Sequence, residues 1–217
     1  MLSPLRSDYR SPTPNFMRLL KQCREDFESY REFVGQVRED YALHHRDWTA
    51  PGFRAVWLHR FGVWAYAMRF QPVAILLRAL YRMLFVYVRN QYQIELPRTT
   101  RVGRRFVIGH QGGVVIHPEA QLGDDCLIRH NVGIGVETGD GLNHAPILGN
   151  HVEVGSGAVI LGRVRIGDHV RIAPKAVVDT DVPANSLVVV APPRVIRFRS
   201  AEGSDADSAS TADVSPV

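Results

Sequence analysis

From Leu96 to Val178 the aliphatic residues of this chain recur every six positions, a spacing that belongs neither to a helix nor to a simply alternating strand. They stand at Leu96, Val102 and Ile108, then at Ile116, Leu122, Ile128 and Ile134, and again at Leu148, Val154, Ile160, Ile166, Ile172 and Val178. Glycine often follows directly, and the fourth position after the aliphatic is small or β-branched, as in Ala120, Cys126, Val132, Val152, Ala158, Val164, Val170 and Ala176. Hexads of this kind predict a parallel β-helix over residues 94–195. Its flat faces are short strands, one aliphatic per hexad points inward, and glycine lets the chain turn between faces.

The period breaks twice. Two extra residues fall between Ile108 and Ile116, just after His110, and eight fall between Ile134 and Leu148, a stretch holding Glu137, Asp140, Asn143 and His144. A coil that must stack on its neighbours can only expel such residues outward, and loops on a rigid scaffold are where sites are built.

Upstream the pattern is helical, so the fold class is mainly β behind an α-helical region over residues 15–93. Phe16, Leu19, Leu20, Cys23 and Phe27 predict an amphipathic first helix, with Asn15 placed to cap it. A second helical stretch runs from Phe53 to Asn90 with a turn or kink near Pro72. From Trp48 to Ile94 there are six arginines and no acid, and Arg78, Arg82 and Arg89 form one stripe. The stripe suits anionic lipid, or else a solvated or inter-subunit face answered by acids of the first helix, which is the commoner use. The apolar run Val73–Val88 reads as too short and too interrupted by arginine to span a bilayer. Residues 1–14 read as a flexible start and 196–217 as a disordered acidic tail.

The net charge of +4 includes four acids and no base after residue 200, leaving a basic body suited to an anionic partner such as a phosphate-rich cofactor or a membrane surface. No zinc finger, aromatic RNA-binding motif or basic heptad region is present, so nucleic acid is not expected. The opening segment has no secretory pattern, which favours the cytoplasm. The only cysteines, Cys23 and Cys126, are expected to be reduced packing residues, and no metal site is expected.

The runs VGRRFVIGHQGGVVI, LGDDCLIRHNVGIG, NHAPILG and VEVGSGAVILGRVRIGDHVRIAPKAVVDTDVP, led in by GFRAVWLHRFGVW, resemble the serine O-acetyltransferase family and its relatives that modify exopolysaccharides such as colanic acid. The resemblance covers about residues 50–195. It implies a left-handed coil, against the usual right-handed crossover. It also implies acetyl-CoA as donor and a homotrimer or dimer of trimers. In that family the histidine of Asp-His-x-x-Gly takes the acceptor's proton; here it is His110. A neutral imidazole is the side chain best suited to that task near pH 7. Glu95 matches the carboxylate that faces this histidine, and His144 matches a second histidine near the thioester. Gly135, Gly157, Ala158, Arg171 and Ala173 match the acetyl-CoA groove, and Lys175 and Arg194 join them by charge.

Two positions depart from the serine enzymes. Gly109 stands where they have Asp, and Asn143 where they have Arg, removing charges that hold the amino acid's ammonium and carboxylate. Arg129, Asp40 or Asp47 are candidate replacements. The chain ends Ser215-Pro216-Val217 rather than in the Ile by which serine enzymes dock into cysteine synthase, so that partner is not expected. A sugar or exopolysaccharide precursor is therefore the first acceptor reading and L-serine the alternative, while a β-helix scaffold without chemistry, at a membrane face, is the contrasting class.

Overall fold

The structure is a computed structural model that describes residues 14–136 and 145–191, with side chains from Lys21 onward. Three helices, α1 (Pro14–Leu43), α2 (Pro51–Ala67) and α3 (Gln71–Tyr92), precede fourteen short strands: β1 (Ile94–Glu95), β2 (Arg101–Val102), β3 (Val107–Ile108), β4 (Val114–Ile116), β5 (Gln121–Leu122), β6 (Leu127–Ile128), β7 (Gly133–Gly135), β8 (Ile147–Leu148), β9 (Glu153–Val154), β10 (Val159–Leu161), β11 (Arg165–Ile166), β12 (Arg171–Ile172), β13 (Val177–Val178) and β14 (Leu187–Val188). The flexible start, the acidic tail and the excluded loop lie almost wholly outside the described residues.

The strands form three parallel sheets in the orders β1-β4-β7-β10-β13, β11-β8-β5-β2 and β14-β12-β9-β6-β3. Through β13 every third strand pairs, so the chain visits the three faces in turn and returns one rung further along, which is the predicted β-helix; β14 falls beside β12 because the last visit to the second face is the single bridge of Val182 to Ile166. Register follows the hexads: Ile108 lies beside Ile128, Ile128 beside Val154, and Val154 beside Ile172. Twelve of the thirteen hexad aliphatics are buried, and Val102 alone is half-buried. The small residues four positions on are buried too, filling the corners of the prism.

The second helical stretch breaks at residues 68–70, with Pro72 in the first turn of α3, where its missing N–H costs nothing. The first helix departs from its expected face. Cys23 and Phe27 are exposed, so Cys23 is not a packing residue, and Asn15 lies inside the helix rather than ahead of it. α1 docks instead through polar groups and through aromatics further along the helix. Asp26 accepts the Arg69 and Phe70 N–H groups at 3.0 and 3.3 Å, capping the turn into α3, while Phe33 stacks on Trp64 at 5.4 Å. Cys126 is buried, with its thiol pushed up to about 11 by that burial, so it is an inert packing residue.

At the far end of α1 the carboxylate of Asp40 is fully buried. It accepts Arg60 Nε at 2.9 Å and Phe106 N–H at 3.0 Å, and Arg60 spends its other N–H groups on the carbonyls of Val102 and Gly103. This group pins the helices to the first coil. Burial raises the Asp40 carboxyl above its usual range, with Arg60 opposing.

Two buried histidines make the fold acid-sensitive. Burial pushes His59, which bonds the Pro97 carbonyl at 3.0 Å, down to about 3, and also lowers His44. Below the ordinary histidine value of 6.5 the unfolded chain therefore binds protons that the folded chain refuses, and stability falls as pH falls. Urea unfolding between pH 6.5 and 4.5 is expected to lose about 2–3 kcal/mol through His59 alone, at ~1.4 kcal/mol per pH unit. His59→Gln, which keeps the donor to Pro97, should flatten that slope; an unchanged slope would clear His59 of the effect.

α3 runs for 22 residues, longer than the apolar run read from the sequence, and its mean hydropathy reaches 1.3, enough by length and composition to cross a membrane. One face of it, Ala74, Tyr81 and Val88, is nevertheless buried against the body, where Gly62 of α2 leaves room for the Tyr81 ring. The arginine stripe does not pair with acids of α1. Arg78 donates to the Tyr66 and Met68 carbonyls, Arg82 to the Tyr66 hydroxyl and Arg89 to Asn90.

Candidate active site

His110 is carried past the end of β3 (Val107–Ile108), where helices and prism meet. Gly52, in the first turn of α2, sits on the Ile108 carbonyl so closely that any side chain there would collide with it. His44, just past the end of α1, fixes the same strand. Its Nδ1–H donates to the Asp40 carbonyl at 2.7 Å, leaving Nε2 to accept the Ile108 N–H at 3.3 Å. The backbone two residues before His110 is thus held from both helices.

The two-residue insertion then closes tightly. Gly112 and Gly113 have φ of +101° and +66°, which L side chains rarely adopt. Gly112 donates to the Tyr92 carbonyl at the end of α3 (3.0 Å) and accepts from the Asn131 N–H (2.8 Å). His110, exposed, is left on the rim of a cavity of about 850 Å³ shared with Asp47 and Arg129.

Directly along the prism lies a residue that sequence motifs did not single out. His130 is one rung from His110, with ring centroids 5.8 Å apart and an interplanar angle of 62°, and its Nδ1 is 3.4 Å from Ser156 Oγ on the next rung. The signal was in the period: His110, His130, Ser156 and Pro174 each stand two residues after a hexad aliphatic.

Glu95 is not joined to His110. It lies on β1 in register with Val115, on a different sheet, and no hydrogen bond connects the two among the described residues. His144 lies outside the described residues, as do Asn143 and Arg194. The charged candidates separate cleanly. Asp40 is consumed by Arg60, whereas Asp47 faces the cavity, its carboxyl held below the usual range by the Thr49 hydroxyl (2.6 Å) and N–H (2.7 Å). A side chain at Gly109 would meet nothing nearer than the Ile128 carbonyl at 3.8 Å, so the space for a carboxylate exists there and is left open.

A second cavity, of about 480 Å³, shares Arg129 with the first and is lined by Arg171, Ala173 and Ser156. Gly157 and Lys175 share the adjoining corner, where the Lys175 chain passes over the space a Gly157 side chain would need. Gly135 opens outward beside the excluded loop. Ala158 differs: its side chain is buried in the prism, its N–H is bonded to Gly155 and its carbonyl to Gly133, so it presents nothing to a ligand. Among the described residues no three of His, Cys, Asp and Glu gather as a metal ion would need.

Residues 145–180 match the family model described as bacterial transferase hexapeptide (six repeats). A serine acetyltransferase of Helicobacter pylori strain J99 is 38% identical over 148 residues, which are 67% of this chain and 81% of that protein. This chain belongs to the serine acetyltransferase family. A further member, from Synechococcus elongatus, is 39% identical over 150 residues, 69% of this chain; the chain spans only 58% of that relative's length. The colanic acid biosynthesis branch is present as well: the Escherichia coli K12 protein WcaB, named for that pathway's acetyltransferase step, is 37% identical over 118 residues, 54% of this chain and 68% of WcaB. The crystal structure of Neisseria gonorrhoeae serine acetyltransferase in complex with serine superposes with a TM-score of 0.63 at 25% identity, covering 84% of this chain and 78% of that one. The coil is the left-handed parallel β-helix of this family.

Proposed function

We propose that the chain is an acetyl-CoA-dependent O-acetyltransferase whose acceptor is L-serine. The sugar acceptor that the sequence reading put first has less support, because the serine acetyltransferases among the relatives align over more of this chain than WcaB does. The observation that carries the serine reading is the cavity at His110, which holds an acid, Asp47, and a base, Arg129; among the described residues Asp47 makes no ion pair, with Arg54 the positive charge acting on it, while Arg129 reaches Glu153 at 3.4 Å on its far side. An amino acid needs that pairing: a carboxylate for its ammonium and a guanidinium for its carboxylate. Asp47 and Arg129 would then replace the charges absent at Gly109 and Asn143.

In this mechanism His110 accepts the proton of the serine hydroxyl as its oxygen attacks the thioester carbonyl. Collapse of the tetrahedral species breaks the C–S bond, and the proton passes from His110 to the departing sulfur, giving O-acetylserine and coenzyme A. Glu95 is the carboxylate assigned to orient His110, and His144 on the excluded loop the group assigned to the thioester side; both rest on the family resemblance. The groove through Arg129, Arg171 and Ala173, continuing to Gly157 and Lys175 and flanked by Gly135, supplies backbone for the pantetheine arm and bases for the phosphates. Assembly as a trimer or dimer of trimers belongs to the same proposal.

The second reading, a sugar hydroxyl, is favoured by the open space at Gly109 and by the likeness to WcaB. Thiol release from acetyl-CoA, run with L-serine and with nucleotide sugars or oligosaccharide units, separates the two. We expect turnover with L-serine, and about a 10- to 100-fold rise in its KM for Asp47→Asn, as follows from losing one charge-assisted hydrogen bond. Turnover with a saccharide and none with L-serine would put the second reading in its place.

A further inference from the structure

α3 turns an apolar face to solvent. Ile75, Leu76, Leu80, Met83, Val86 and Tyr87 fall on the side opposite Ala74, Tyr81 and Val88, and at 69% and 64% exposure Leu76 and Met83 stand well clear of the fold. Over five turns the outward face carries almost no polar residue before Asn90. A continuous apolar strip of this kind marks a contact with another body.

Charge identifies that body. The edge of the strip is the row of Arg78, Arg82 and Arg89, and neither α2 nor α3 carries an acid. An antiparallel two-fold contact between two copies of α3 would bring the arginine rows together with no acid on either helix to answer them. An anionic bilayer answers both features, since the apolar strip enters the acyl boundary while the guanidinium row meets phosphates.

We infer that α3 lies flat in the interface of an anionic membrane. It does not cross the bilayer, because its opposite face is packed on α2, with the Tyr81 ring seated over Gly62. Tyr66 holds Arg78 and Arg82 along the edge: the Arg78 guanidinium lies 5.3 Å from its ring and Arg82 reaches its hydroxyl at 3.3 Å. Arg82 and Arg89 stay exposed along that edge, while Arg78 is half-buried against the Tyr66 and Met68 carbonyls. This surface is separate from His110 and stands whether the acceptor is serine or a sugar.

Flotation of the full chain with vesicles tests the inference. It is expected to bind phosphatidylcholine mixed with phosphatidylglycerol, to bind phosphatidylcholine alone far less, and to lose binding as salt is raised. Arg89→Gln lowers partitioning about five-fold, the effect of one basic residue near an anionic surface. Met83→Asp abolishes it. Both side chains are exposed, so the far-ultraviolet circular dichroism of each variant stays that of the parent. Failure of the parent chain to float with anionic vesicles, or equal flotation of Met83→Asp, overturns the inference. If flotation is absent and Met83→Asp lowers the mass of the assembly in sedimentation, the strip is a contact between copies instead.

Discussion

With His110 replaced by alanine, thiol release from acetyl-CoA is expected to fall by about 10² to 10⁴, the usual worth of a positioned general base. The fold is expected to stay intact. The His110 side chain is exposed and makes no hydrogen bond in the described structure, and the surrounding loop is held by backbone, through Gly112 to Tyr92 and Asn131. The KM for acetyl-CoA should move little, because the groove through Arg129, Arg171 and Ala173 is built from other rungs. Among the described residues His130, its ring centroid 5.8 Å away, is the imidazole best placed to recover part of the activity. A double variant that loses no more than His110→Ala alone would deny it that role. Unchanged turnover in His110→Ala would remove the mechanism altogether.

The largest stability effect is expected at Arg60. Arg60→Met strands the Asp40 carboxylate in the interior and strips donors from the Val102 and Gly103 carbonyls. Breaking a buried pair from one side costs about 3–5 kcal/mol. Removing Asp40 as well, in Asp40→Leu with Arg60→Met, should recover part of this, since no uncompensated charge remains. A residual of about 1–3 kcal/mol is expected from Phe106 N–H and the two orphaned carbonyls. Urea unfolding of the single and double variants measures both. Equal loss in the two would mean that Arg60 acts through its carbonyl contacts rather than through the charge of Asp40.

The prism was legible because each rung repeats the same demand at the same place in the sequence: an aliphatic inward, a small residue four positions on, a tight corner. The helices were less so. The α1 face was sought among apolar residues, and Phe27 and Cys23 proved exposed, since its docking is carried by Asp26 on the turn before α3 and by Asp40 on Arg60. A buried ion pair between residues twenty apart on separate helices leaves no periodic trace. His110 was found through the chemistry of its motif, but His130 required applying the rung count to the polar corner. Asp47 and Asp40 looked alike in sequence, and only burial divides the one that can meet a substrate from the one that cannot.

The corner shared by His110, His130, Ser156 and Pro174 makes the prism a ruler. Neighbouring rungs are about 4.8 Å apart, so a ligand lying along this edge is gauged in steps of that size, and each step is set by one residue at one corner. Exchanging Ser156 or Pro174 changes what is read two or three graduations from the reacting atoms while leaving the zero mark at His110 untouched. On the proposed function, selectivity for the length and polarity of a donor laid along this edge is adjustable rung by rung.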